Sequence, residues 1–521
     1  MEILLKNGLV YDGTINKPNV LDVYIKDGLI SKIGKDLEII CDNSIDCTGL
    51  IVSPGFIDAH SHNDFFVVGD QESAIVPFLK QGITSQIIGN CGFSSYGVGE
   101  SEYRNLVGSG LFKTKECTSL EEYRNMVKGE LILNQIPLIG HGTTRISVAG
   151  NSPRELTEEE KNKMLSLLEE AMNDGAFGGS LGLMYEPGMY APKQELIDFA
   201  KVIAKHNGIL TVHPRANSKV AMGYSLFGKP HIEQALDEMI DIAKESKVRL
   251  ENSHLIFVGK SSWKCVDAML NGFYKARSEG IDIAYDIYPF TYGASVITVV
   301  LPSWYMKLSI EERKKKFNRF KLKLIINITK KLLGIDFNDL KISFIGDDYP
   351  EFEGKTVSEI AKERNVKPID MYLKLVDLSN GKGRIMLDKY YNDEIIERLM
   401  KDDLSIFMTD AWYETSGTQN GGTFQAFPYF IERSIKYNIP LESVINKMTG
   451  KTADRFNIND RGYIKEGLSA DICIFNKEEI KVNLDIPDET PPGIKYVIIN
   501  GEMVLKSNHF NGLKKGIVLN R

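Results

Sequence analysis

Residues 1–50 alternate apolar and polar side chains in short runs, LKNGLVYDG, VLDVYIKDGLISKIG and SIDCTGLIVSPG, broken by Asn-Gly, Asp-Gly and Pro-Gly turns. Period two between such turns is the mark of half-buried strands. The texture returns near the other end in GYIKEGLSADICIFN and IKYVIINGEMVLK. Between these regions the pattern becomes a short apolar run, a loop and a helix-period segment, repeated. Eight runs, at 51–60, 83–89, 136–141, 177–183, 209–213, 248–254, 281–287 and 404–410, predict strands. ELTEEEKNKMLSLLEEAMNDG typifies the segments between them, with Leu and Met at helical spacing and a Gly beyond its end. Eight strand-then-helix units predict an α/β fold, a (β/α)8 TIM barrel over 55–456. The two termini, 1–54 and 457–521, are expected to pair into a small discontinuous β-sandwich domain.

More than 110 residues separate the seventh predicted strand from the eighth, so an insertion is expected at about 302–400. It holds LSIEERKKKFNRFKLKLIINITKK, a basic run with Phe317, Phe320, Leu324 and Ile325 at helical intervals, which reads as a solvated helix face, with a partner or lid role as the lesser alternative.

A chain of 521 residues with 43% hydrophobic side chains can bury a large core. Its net charge of −7 offers no overall basic field for phosphate backbones, so nucleic acid is not an expected partner and a small molecule is. The longest uncharged apolar run, Ala294 to Leu301, falls far short of the ~20 residues that span a bilayer, and no membrane partner is expected. The amino terminus lacks the regions of a signal peptide, and the six cysteines have no framework spacing. Both features suggest a cytoplasmic protein with free thiols. The sequence leaves open whether it forms a homo-oligomer.

Against that background, the distribution of metal-ligating residues stands out. The chain has only eight histidines, and His60, His62, His213 and His254 fall where apolar runs stop. Cys91, between Gly89 and Gly92, and Asp410, after the apolar run LSIFMT, end predicted strands two and eight. A barrel converges the ends of its strands on one point, so these six residues would meet there. His60 and His62, two apart, would face one way. Two histidines and a thiolate make a three-ligand catalytic zinc set with an open position. A carboxylate beyond a purely apolar run needs a partner such as a metal or its water. Taken singly, each histidine is more often a packed core residue, and Cys91 a buried small one; together they point to a hydrolytic metal site. His141, in IGHGTTR, also ends a predicted strand and is either substrate-facing or structural. His206, His231 and His509 lie away from strand ends and read as surface residues.

PGFIDAHSHNDF, GNCGFS, GHGTTR, SLGLMYEPGMYA, TVHPR, ENSH, YDIYPFTYG, MTGKTADRFN and GLSADICIF resemble, in order, motifs of the amidohydrolase superfamily. They are most similar to its N-acyl-D-amino-acid deacylase (D-aminoacylase) branch, across nearly the whole chain outside 305–400. Many relatives carry a metal-bridging lysine on the fourth strand; AFGGSLGL has none, and in this branch a second-strand cysteine takes that place. The resemblance implies a tight Zn2+ at Cys91, His213 and His254, flanked by His60, His62 and Asp410. It leaves open whether a second, weaker metal binds. It implies Asp410 as the catalytic base and Tyr185, Tyr288, Arg145 and His141 as substrate-binding positions. Two family basic residues are missing, with Ile256 in place of one and the other position near Gln419; Arg215 or Lys260 could stand in for them. The implied activity is zinc-dependent hydrolysis of a linear amide, deacylating N-acyl-D-amino acids or a related N-acyl compound. The alternatives are a cyclic amidohydrolase of hydantoinase or dihydroorotase type and a non-catalytic scaffold of the same fold.

Overall fold

Eight short strands, nearly all of whose side chains are buried, run parallel and lie side by side in chain order: Phe56–Asp58, Ile83–Ile88, Asn134–Gly140, Gly178–Gly182, Ile209–His213, Arg249–Asn252, Ile283–Ile287 and Ser405–Phe407. Parallel strands covered on both faces need such continuous burial. The first and eighth strands meet where the Ala59 N–H donates to the Phe407 carbonyl (3.3 Å) and the Asp410 N–H to that of His60 (3.1 Å), so the sheet closes into a barrel. The computed structural model describes residues 2–67, 69–103, 117–221, 228–306 and 308–521.

Helices follow the strands and pack outside them. The Glu158–Asn173 helix starts at a Thr157–Glu160 capping box and buries Met164, Leu168, Ala171 and Met172, the stripe that its spacing predicts.

The predicted strand at 51–60 divides in two. Ile51–Pro54 pairs with Glu2–Val10 and with Ile472–Phe475, whereas Phe56–Asp58 opens the barrel. The switch falls at Gly55, where a Cβ would lie 2.3 Å from the Thr84 side chain. The terminal strands form one nine-stranded mixed sheet rather than two separate ones. It folds over itself: the Ile30 N–H donates to the Leu468 carbonyl and the Ala470 N–H to that of Gly28, both at 2.8 Å. Ile3, Leu5, Val23, Ile25, Val52, Ile472, Ile474 and Ile498 fill the fold. The last residues reach the barrel, where Gln135 exchanges backbone hydrogen bonds with Ile517 and Leu519 (2.9 and 2.8 Å).

Between the seventh and eighth barrel strands stands an antiparallel sheet of Gly293–Val296, Leu340–Phe344 and Arg384–Leu387, with helices Lys316–Leu333, Val357–Glu363 and Pro368–Leu378 among its connections. Its first strand lies upstream of residue 302. The Asp393–Lys401 helix packs on the eighth barrel strand as one of the barrel's own helices.

Candidate active site

All six candidate ligands converge at the carboxyl end of the barrel, most of them in the turn just past their strand. Cys91 Sγ lies 3.4 Å from His60 Nε2 and 3.6 Å from His213 Nδ1. Asp410 Oδ1 is 3.5 Å from His60 Nε2 and 3.8 Å from His62 Nε2, and Oδ2 is 3.8 Å from His254 Nε2. The rings of His213 and His254 are 4.4 Å apart. Two sets of donor atoms are close enough to share an ion, His60–Cys91–His254 and His60–His62–Asp410, with His60 in both.

Three of the six hold a left-handed backbone: Cys91 (φ 52°), His254 (φ 42°) and Asp410 (φ 47°). Each costs a non-glycine residue about 1–2 kcal/mol. The sharp turns point the side chains inward instead of along the strand. The turn around Cys91 also requires glycines. Gly89 (φ +78°) would place a Cβ 2.0 Å from the Leu138 carbonyl, and a Cβ on Gly182 of the fourth strand would lie 2.0 Å from the Cys91 carbonyl. Ser180, on the same strand, accepts from the Gly92 N–H (2.9 Å) and donates to the Gly89 carbonyl (2.5 Å). The fourth strand, GGSLG, thus gives its inward space to the Cys91 turn, which accounts for its lack of a lysine.

Two buried carboxylates brace the histidines. Asp286 Oδ1 accepts the His254 N–H (2.5 Å) while Oδ2 faces His60 Nδ1 at 3.9 Å. Asp58 accepts from the Thr409 N–H and hydroxyl (2.8 and 2.7 Å) and from the Gln86 amide (3.2 Å), tying the first strand to the eighth; burial pushes its carboxyl up to about 7. Neither was picked out from the sequence. Each follows the pattern that singled out Asp410, a carboxylate in an apolar strand run, here FID and IAYDI.

Burial disfavours the cationic forms of His60, His213 and His254 and lowers their pKa values. It pushes the Cys91 thiol up, an effect the Asp410 charge adds to. Burial would also raise the pKa of Asp410, but its interactions with His254, His62 and His60 outweigh that and hold the carboxyl below its usual range. An ionised carboxylate set among imidazole nitrogens and a thiol suits a bound cation. His60 and His254 each also bury an Nδ1 without a hydrogen-bond partner, and the N, S and O donor set suits zinc. The residues fit a metal ion.

The remaining sequence candidates separate. The Tyr185 ring lies 4.6 Å from that of His213, and Tyr288 is buried with its hydroxyl unpartnered. Trp412, which the sequence did not single out, stands 5.8 Å from His62. Arg145 does not face the site. Its Nε bonds Glu195 (2.9 Å) and its other nitrogens the carbonyls of Ser152 and Arg154 (3.2 and 2.7 Å), so the whole guanidinium is used structurally. His141 shares the same Glu195 oxygen through Nε2 at 2.9 Å. Arg215 is likewise engaged, by Glu238 (3.1 Å) and two carbonyls, and Lys260 is exposed. Ile256 is buried, and Gln419 bonds the backbone of Glu414. His231, expected at the surface, is buried at the start of the His231–Ser246 helix, and its Nδ1 meets the backbone of Ala221 at 2.7 Å.

Because Glu195 serves both Arg145 and His141 in a fully buried position, Glu195→Ala is expected to destabilise the fold by about 3–5 kcal/mol, the cost of stranding a buried charge. Urea unfolding would measure this, and an unchanged midpoint would contradict it.

No family model matches the chain. The D-aminoacylase of Alcaligenes xylosoxydans xylosoxydans is 26% identical over 531 residues, spanning 100% of this chain and 98% of that protein. Among solved structures, N-acyl-D-glutamate deacylase from Bordetella bronchiseptica, complexed with zinc and a phosphonate mimic of the tetrahedral intermediate, superposes with a TM-score of 0.82 at 23% identity, covering 100% of this chain and 99% of that one. L-hydantoinase from Arthrobacter aurescens, with equal coverage, reaches 0.57 at 14% identity. The chain resembles the deacylases along its whole length and is a more distant likeness of the hydantoinases.

Proposed function

We propose that this chain is a metal-dependent amidohydrolase that cleaves a linear amide, removing the acyl group from N-acyl-D-amino acids or a related N-acyl compound. The observation that carries this reading is the convergence of Cys91, His213, His254 and the His60–His62 pair around the carboxylate of Asp410. Cys91, His213 and His254 would hold a tight zinc, and His60, His62 and Asp410 a second, weaker site. When bound, zinc supplies Lewis acidity toward a carbonyl and lowers the pKa of water to about 7.

The chain's own part begins at Asp410, which is 17% exposed and so open to a water molecule at the mouth of the cluster. Held ionised, its carboxylate takes a proton from the attacking water, and its low basicity favours passing that proton on to the departing amine. The unpartnered Tyr288 hydroxyl donates to a substrate oxygen, and Tyr185 and Trp412 form walls that keep bulk water from the reacting amide. The products are a carboxylate and an amine. Asp286 holds the turn of His254 through its backbone N–H.

The ring-amide alternative draws less support, given the weaker hydantoinase likeness and a fourth strand whose inward space the Cys91 turn fills. A hydrolysis panel of N-acetyl-D-amino acids, their L isomers, dipeptides and hydantoins tests the choice. Turnover of linear N-acyl-D substrates is expected, and turnover confined to rings would overturn the reading.

A further inference from the structure

The basic run in the insertion exposes an apolar face as well as its charges. Its main helix, Lys316–Leu333, packs on the protein through Leu322, Ile326 and Leu333. The opposite face is apolar and open: Phe317 is 76% exposed, Phe320 68%, Leu324 53%, and Ile328 and Leu332 50% each. Spacings of three and four residues place these five along one stripe about 22 Å long. A stripe this apolar on a helix crest is unusual on a free surface.

Its charge setting selects the occupant. Residues 310–333 carry nine Lys and Arg against two Glu, in a chain of net charge −7. Arg319, Lys323 and Lys330 are satisfied on the flanks by Asp377, Asp370 and Asp336. Lys314, Lys315, Lys316 and Lys331 are exposed and take no part in the described ion pairs, and Lys321 stands over the Trp304 ring. No acidic residue lies on the stripe itself. A second copy seated here about a twofold axis would bring lysine clusters together with nothing to offset them. A negatively charged apolar interface satisfies both features, since lysines can reach headgroups while Phe, Leu and Ile enter the acyl boundary.

We propose that the Lys316–Leu333 helix is a peripheral docking surface for an anionic lipid bilayer. No helix among the described residues is long and apolar enough to cross a membrane, so the contact is one of lying on the surface. The helix is also coupled to the barrel: the Leu333 carbonyl accepts the Ser261 N–H (3.1 Å) in the loop that follows His254 and the sixth strand. The proposal stands independently of the reaction assigned to the barrel.

Flotation of the purified full-length protein with vesicles of phosphatidylcholine alone, or with about one-third phosphatidylglycerol, tests it. Partitioning is expected to be at least about tenfold stronger onto the anionic vesicles, to weaken in high salt, and to fall about tenfold or more in the double variant Phe317→Glu, Phe320→Glu. Both side chains are exposed, and an unchanged thermal melt checks that the variant folds. Failure to bind the anionic vesicles, or equal binding by the variant, would overturn the proposal. So would a wild-type dimer that the double variant splits, because a second copy would then be the occupant.

Discussion

Asp410→Asn is expected to lower kcat/KM by about three orders of magnitude with little change in KM. The substitution keeps the shape of the side chain and removes its charge, and with it the ability to carry the proton from water to the leaving amine. Because the surrounding histidines hold the Asp410 carboxyl below its usual range, its charge is favourable in the folded apoprotein, and removing it costs stability. The metal-free variant should therefore stay folded and melt modestly below the wild type. Steady-state kinetics together with a melt of the apoprotein separate the two roles. A large fall in stability with kcat/KM intact would make Asp410 a structural residue.

The second large effect is expected at Cys91. Cys91→Ala removes the one soft donor, whose sulfur sits between His60 and His213. Losing the supporting partner of a metal ligand already costs 10–100-fold in affinity, so losing the ligand itself is expected to cost a hundredfold or more. The fold should survive, since the Cys91 turn is held by Gly89, Gly92 and Ser180 rather than by the sulfur. Metal content after dialysis against a competing chelator, alongside a circular dichroism spectrum, measures both. Wild-type metal retention in Cys91→Ala would remove this cysteine from the site.

The barrel was legible in the sequence because its strands are continuous apolar runs and its helices carry clean 3.6-residue stripes. The convergence of the six candidate residues was legible for a related reason: a polar or sulfur side chain that closes an apolar run must meet something inside the fold. The same reasoning extends to Asp58 and Asp286, whose signals were present but sat inside runs rather than at their ends. The run 51–60 hid a change of sheet, because the strand that leaves one sheet for another at Gly55 stays buried on both sides of the switch. Arg145 shows the limit of position-by-position likeness. Whether a guanidinium faces substrate depends on Glu195, 50 residues away, a pairing no local pattern encodes. The left-handed turns at Cys91, His254 and Asp410 were equally invisible, since no non-glycine residue signals such a turn by itself, even His and Asp, which adopt it more readily than Cys. In the insertion helix, periodicity correctly gave a helix but not which of its two apolar faces the protein would cover.

The claim at the centre of this account is that the cluster of Cys91, His213, His254, His60, His62 and Asp410 binds a metal on which amide hydrolysis depends. Its most direct test is to strip the purified protein with chelator and titrate zinc back while following acyl release from an N-acetyl-D-amino acid. Activity is predicted to vanish in the stripped protein and to return as the first equivalent of zinc binds. Full turnover by protein shown to be free of metal would contradict it.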